Sequence, residues 1–205
     1  MQHLVITVDC DDVIVESSFA LLEHYSQTYG VDVPPELLYT ASPAQWGVAH
    51  DDEAIARVYK YLRSEDSQAK PPSPAAIQAL RRLAADHELH LVTGRADFLQ
   101  ASTLAWLKKY LDGVFSSTEF TNYIVPTSHK HITRSKAEVC KQLNADILIE
   151  DHPHHAEIVA ATGTDVLLFG DLPWNRHATL TASGVTRVKD WAAVVSHIDR
   201  TATDR

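Results

Sequence analysis

Leu4-Val5-Ile6-Thr7-Val8 runs directly into Asp9-Cys10-Asp11-Asp12-Val13, and the fold is decided at this junction. The first five residues are nearly all apolar and rich in β-branched side chains, the pattern of a strand buried on both faces of a parallel sheet. Similar runs recur at Leu89-His90-Leu91-Val92, Ile147-Leu148-Ile149 and Val166-Leu167-Leu168-Phe169, with a weaker one near Val114-Phe115. Helical patterns separate them over 74–85, 97–111, 135–143 and 155–161, and 189–198 reads as a closing helix. Strands alternating with helices predict an α/β fold: a doubly wound, Rossmann-like parallel sheet with helices on both faces.

One stretch departs from the alternation. Residues 16–72 read as helical without a convincing strand, punctuated by Pro34-Pro35 and Pro71-Pro72-Ser73-Pro74. The expected organisation is a core of residues 1–15 and 73–205 with a small helical insertion over 16–72. A length of 205 residues suits one domain carrying such an insertion better than a tandem of full domains.

Composition narrows the partners. With 18 Lys+Arg against 27 Asp+Glu the formal charge is −9, so no net attraction draws the chain to a nucleic-acid polymer or an anionic membrane. Two cysteines, Cys10 and Cys140, cannot build a disulfide framework or a four-cysteine zinc site. No apolar run approaches the roughly 20 residues of a membrane span, and no signal-peptide pattern is visible at the N-terminus. The expected location is the cytoplasm.

The strand ends carry the chemistry. In a parallel α/β sheet, sites are built at the carboxyl ends of the strands. The first strand ends in Asp9 and Asp11, the second in Thr93-Gly94-Arg95, a later one in Glu150-Asp151, and Ser135-Lys136 opens a helix between them. Each has an ordinary reading as a turn, a cap or a solvated side chain. Together, at one mouth of one sheet, they describe a site for a hard, oxygen-liganded cation and a phosphate.

In these motifs the chain resembles the haloacid dehalogenase (HAD) superfamily of phosphohydrolases. Asp9-x-Asp11 matches its first motif, Thr93 the second, Lys136 the third and Glu150-Asp151 the acidic fourth. Within the superfamily it is most similar to the 5′-nucleotidase and 5′(3′)-deoxyribonucleotidase group. Pro72-Ser73-Pro74-Ala75, Leu148 to Pro153 and Leu172-Pro173-Trp174-Asn175-Arg176 carry that closer likeness. Asp12 departs from it, standing where those nucleotidases usually have Gly. The resemblance implies a phosphoric monoester hydrolase in which Asp9 is the nucleophile and Asp11 the general acid and base. It implies phosphate binding by Thr93, Gly94 and Lys136, and Mg²⁺ held by Asp9, the Asp11 carbonyl and Asp151. Glu150 would tune the metal from behind. The expected substrate is a small phosphorylated metabolite, a nucleoside monophosphate in the first instance. A sugar phosphate, or a non-catalytic module that binds a phosphorylated ligand, stands as the alternative.

Several residues admit two readings. Arg95 reads equally as a substrate contact or as a salt bridge to a neighbouring loop. Trp46, in Gln45-Trp46-Gly47 between helical segments, reads as a stacking platform for a base or as loop packing, the second favoured. Trp174-Asn175-Arg176 reads as closing a loop through hydrogen bonds or as reaching substrate, the first favoured. The other aromatics of the insertion read as its own core. His152-Pro153-His154-His155 lacks zinc-ligand spacing and reads as a helix entry, while His129-Lys130-His131 reads as a solvated loop. Cys10 and Cys140 read as buried.

Overall fold

The structure, a computed structural model, describes residues 2–122 and 134–204. His129 and His131 lie outside the described residues. The sheet has six strands, β1 (Val5–Val8), β2 (Glu88–Thr93), β3 (Ser117–Phe120), β4 (Ile147–Glu150), β5 (Asp165–Phe169) and β6 (Val185–Val188), in the order β3-β2-β1-β4-β5-β6. Every neighbouring pair is parallel. Leu4, Ile6, Thr7 and Val8 have no exposed surface, which is why the first strand carries no polar alternation.

The chain winds outward from β1 first to β2 and β3, then back past β1 to β4, β5 and β6. The reversal leaves a crevice between β1 and β4, the usual binding position in open α/β sheets. Val8 pairs with Leu91 on one side and Ile149 on the other, so Asp9 and Glu150 stand level, and β2 runs on two residues past Leu91 to end at Thr93. The three residues therefore emerge at the same end of the sheet.

Between β1 and β2 the described chain holds α1 (Ser18–Tyr29), a 3₁₀ turn at Pro35–Leu37, α2 (Asp51–Leu62), α3 (Glu65–Ala69) and α4 (Pro74–Asp86). Leu22, Tyr25, Leu38, Trp46 and Tyr61 of this stretch share an apolar cluster distinct from the one under the sheet. Its two ends meet where the Ser73 N–H donates to the Ile14 carbonyl at 2.9 Å. Helix α4 then begins with Pro74 at its first turn and the Ser73 hydroxyl accepting from the Ala76 N–H. The remaining helices are α5 (Gln100–Tyr110), α6 (Lys136–Leu143), α7 (Pro153–Ala160) and α8 (Trp191–Asp204). None of the helices is long and apolar enough to cross a membrane, among the described residues.

Three expectations need correction in detail. The third strand starts at Ser117, beyond the Val114-Phe115 pair, whose valine is a core residue of the turn before it. The helix expected over 97–111 opens with a separate 3₁₀ turn at Asp97–Leu99. Beyond the run ending at Phe169, the last of the apolar runs read from sequence, a sixth strand follows. Thr186 and Arg187 are exposed on that edge strand, so it offers no continuous apolar run to read.

Candidate active site

Lys136 sits at the first position of α6, fixed by a capping box in which Ser135 and Glu138 satisfy each other's backbone N–H groups. From there its buried Nζ reaches Asp9 Oδ1 at 2.8 Å and Glu150 Oε2 at 2.6 Å. Glu150 Oε1 accepts the His152 N–H at 3.0 Å, so both its oxygens are engaged. Asp9, Glu150 and Asp151 bring carboxylate oxygens within 4.8 Å of one another, all buried.

One ammonium does not balance three buried carboxylates, and the ionisation of the group shows the strain. Burial pushes Asp9 up from 3.8 to about 7, although Lys136 pulls the other way. Asp151 is raised well above the ordinary carboxylate range by burial, then by Glu150 and Asp9. Glu150 is held low: burial acts to raise it, and Lys136 and His155 outweigh that. The missing charge is positive, and the donors facing it are all oxygen. That set fits a hard divalent cation and does not fit a soft one.

Asp11 lies beside this cluster, clamped by Arg95. Arg95 Nε meets Oδ2 at 2.9 Å and Nη2 meets Oδ1 at 2.8 Å, a two-pronged ion pair. Burial would raise Asp11, but the guanidinium wins and holds it below the usual value. Of the two readings of Arg95, the salt bridge is the one present, and its partner is the candidate acid–base residue itself. Arg95 also orders its own loop, donating its backbone N–H to Thr93 Oγ1 at 3.2 Å. Thr93 has no exposed surface and stands one residue behind the cavity wall, whereas Gly94 and Arg95 form part of that wall.

Asp12 takes a left-handed backbone, φ 60°, the conformation for which glycine is the usual choice. Its carboxylate repays the strain by accepting from the N–H groups of Ser17 and Ser18, both at 3.0 Å, and from the Ser18 hydroxyl. Asp12 thus caps α1 from outside the helix, and that explains an aspartate where the resemblance leads one to expect glycine.

Above the charged floor lies a cavity of about 180 Å³, roofed by Leu38, Tyr39, Trp46, Val58, Tyr59 and Leu62 of the helical insertion. Trp46 is mostly packing: its ring meets Tyr25 edge-on at 4.9 Å, and its carbonyl accepts the Tyr25 hydroxyl at 2.7 Å. It still lines the cavity. Tyr39 and Tyr59, read from sequence as insertion core, also line the space. Tyr39 packs on His152 at 4.3 Å, and His152 stacks on His155 at 4.9 Å. The His152 ring caps α7 by accepting the His154 N–H at 3.2 Å, which is the helix-entry role expected of it. Cys10 and Cys140 are both buried.

Sequence reasoning left open what Trp174 and Asn175 do. The Trp174 indole N–H donates to Asp151 Oδ2 at 2.7 Å, and Asn175 Nδ2 donates to the Asp151 carbonyl at 3.0 Å. Both close the loop by hydrogen bonds, on a residue of the acidic cluster.

Residues 3–203 match the family model described as 5′ nucleotidase, deoxy (pyrimidine), cytosolic type C protein (NT5C). The chain belongs to this family. No curated protein matches it in sequence. Solved structures with the same fold are HAD-superfamily hydrolases. A haloacid dehalogenase-like hydrolase, SP0104 from Streptococcus pneumoniae, is 14% identical with TM-score 0.65, covering 96% of this chain and 98% of that one. The L-2-haloacid dehalogenase of Xanthobacter autotrophicus is 13% identical with TM-score 0.62, covering 97% and 99%. YfnB from Bacillus subtilis, described as a HAD-hydrolase bound to magnesium, is 11% identical with TM-score 0.63, covering 97% and 100%. At these identities the likeness is one of fold, and the NT5C match carries the family.

Proposed function

We propose that this NT5C-family protein is a Mg²⁺-dependent phosphomonoesterase acting on nucleoside monophosphates through an aspartyl-phosphate on Asp9. The observation that carries the reading is the pairing of an oriented nucleophile with a poised partner. Asp9 is held by Lys136 at 2.8 Å, while Asp11, two residues on, is clamped by Arg95 at the same cavity floor. Bound among Asp9, the Asp11 carbonyl and Asp151, Mg²⁺ would offset the repulsion between carboxylate and phosphate.

The residues then divide the work. An Asp9 oxygen attacks phosphorus, and the bond from phosphorus to the ester oxygen breaks. The departing oxygen takes a proton from Asp11, which later removes one from the water that cleaves the Asp9–phosphate bond. Asp11 cannot give a proton while Arg95 holds it ionised. A phosphate in the cavity offers the guanidinium a second anion, and the transfer of Arg95 from Asp11 to phosphate frees Asp11 for proton transfer. Gly94 and Lys136 supply the remaining phosphate contacts, Thr93, buried behind the wall, orders the Gly94-Arg95 loop rather than reaching the cavity itself, and Glu150 keeps Lys136 in place. Residues 16–72 act as a cap over the leaving group, with Trp46 against the base. The space between the sheet and the cap suits a small ligand such as a mononucleotide.

The test is a hydrolysis screen with nucleoside monophosphates, sugar phosphates and an aryl phosphate, with and without Mg²⁺. Preference for nucleoside monophosphates supports the reading. Preference for sugar phosphates over every nucleotide refutes the substrate assignment and leaves the phosphatase chemistry standing.

A further inference from the structure

The loop between β5 and β6 reaches back to touch the acidic cluster through one atom. Trp174 Nε1 donates to Asp151 Oδ2 at 2.7 Å, a hydrogen bond between groups that are both buried. Behind it the loop is rigidly held. The Asn175 side chain, with no exposed surface, bonds the carbonyls of Asp151 and Phe169 and accepts the Leu172 N–H. Arg187 Nη1 from β6 holds the Asn175 carbonyl at 3.0 Å. These bonds hold the loop on either side of Trp174 and so position its indole against Asp151.

The other carboxylates of the cluster are restricted in the same way. Lys136 occupies Asp9 Oδ1, and both Glu150 oxygens are taken, one by Lys136 and one by the His152 N–H. Among the described residues, no hydrogen bond or ion pair takes the second oxygen of Asp9 or of Asp151. Two single-oxygen carboxylates, the rest of the shell being carbonyl, water or substrate, describe the coordination of Mg²⁺. Ca²⁺ takes more ligands at longer distance and favours carboxylates that bind through both oxygens.

We infer that Trp174 is a positioning residue that makes the site selective for Mg²⁺ over Ca²⁺, by tying one oxygen of Asp151 and so denying it to the ion. The inference rests on the cation-dependent reading above and goes beyond it, since that reading requires only that a hard cation bind. The Trp174 ring also lies 5.7 Å from Phe19. Phe19 touches the indole without touching the carboxylate bond, which makes it the natural control.

The experiment is calorimetric titration of chelator-stripped full-length protein with Mg²⁺ and, separately, Ca²⁺, for the wild type, Trp174→Phe and Phe19→Ala. Phe keeps most of the ring and removes the N–H. The expected result is a wild-type preference for Mg²⁺ that narrows about tenfold or more in Trp174→Phe and is unchanged in Phe19→Ala. An unchanged ratio in folded Trp174→Phe overturns the inference while leaving the phosphatase reading intact. Absence of Mg²⁺ binding to the wild type overturns both. Should Trp174→Phe fail to fold, the wild type decides by ¹⁵N-indole spectra: a Trp174 N–H that stays protected from exchange at Mg²⁺ saturation supports the inference, and one that becomes freely exchanging refutes it.

Discussion

Replacing Lys136 by Met tests the charge balance of the site directly. The side chain is 4% exposed, and its ammonium lies 2.8 Å from Asp9 and 2.6 Å from Glu150. Methionine fills nearly the same volume and removes the charge, leaving Asp9, Glu150 and Asp151 without a cation. Removing one partner of a buried pair costs about 3–5 kcal/mol, because the other partner stays desolvated and unpaired. For a chain of this size, at about 2–4 °C per kcal/mol, the loss in Tm is on the order of 10 °C.

The cost depends on pH, and its sign follows from Glu150. Lys136 holds that carboxyl below its ordinary 4.5, so the pair stabilises the fold above that value and the contribution fades as pH falls through the lowered one. Lys136 itself is raised above its ordinary 10.5, so it stays charged throughout the accessible range. In Lys136→Met both carboxyls move up and take protons when pH allows. The deficit is therefore larger at pH 8 than at pH 5. Urea unfolding in chelator at the two pH values measures it, and added Mg²⁺ should recover part of the loss at pH 8. A deficit below about 1 kcal/mol at pH 8, or one that grows toward pH 5, would show that Lys136 does not neutralise this cluster.

Asp9→Asn should abolish turnover on every phosphomonoester while the far-ultraviolet circular dichroism stays native; retained activity refutes the covalent role. In the metal-free protein the raised Asp9 stabilises the fold fully below its ordinary 3.8 and loses that contribution as pH rises through about 7. Because bound cation needs the ionised form, the gain in Tm from Mg²⁺ should be larger at pH 8 than at pH 5, and equal gains would contradict this. Trp46→Ala should lower kcat/KM for nucleotides by about 1 kcal/mol or more and leave an aryl phosphate comparatively unaffected. Equal loss on both substrates would assign Trp46 to packing alone.

The features legible in the sequence are those that the sheet places at the ends of apolar runs. Thr93 and Glu150 end strands that are largely buried, and Asp9 and Asp151 come directly after such strands, so the apolar run announces the strand and the polar residues at its end announce the site. Lys136 was legible for a local reason too, since Ser135 and Glu138 spell a capping box around it. What could not be read depends on pairing across distance. Nothing adjacent to Arg95 indicates that it closes on Asp11, 84 residues away, and nothing near Trp174 indicates Asp151. Tyr39 and Tyr59 failed for another reason: an aromatic facing a cavity and one facing a core occupy the same apolar surroundings, and periodicity cannot separate them.

The arrangement of charge also bears on when the site becomes competent. The two aspartates of the first motif are treated in opposite ways by their neighbours. Asp9, buried and sharing one ammonium with other carboxylates, is raised to about 7, while Asp11, buried too but paired with a guanidinium, is lowered. The proposed roles require an ionised Asp9 and a protonated Asp11, whereas the ligand-free site leaves Asp9 only part-ionised near neutral pH and holds Asp11 ionised. Two changes correct them. A cation held by Asp9, the Asp11 carbonyl and Asp151 would favour the ionised form of Asp9, and a phosphate that draws Arg95 away would remove what keeps Asp11 ionised. Cation and substrate therefore each set the charge of one aspartate, and neither alone completes the site.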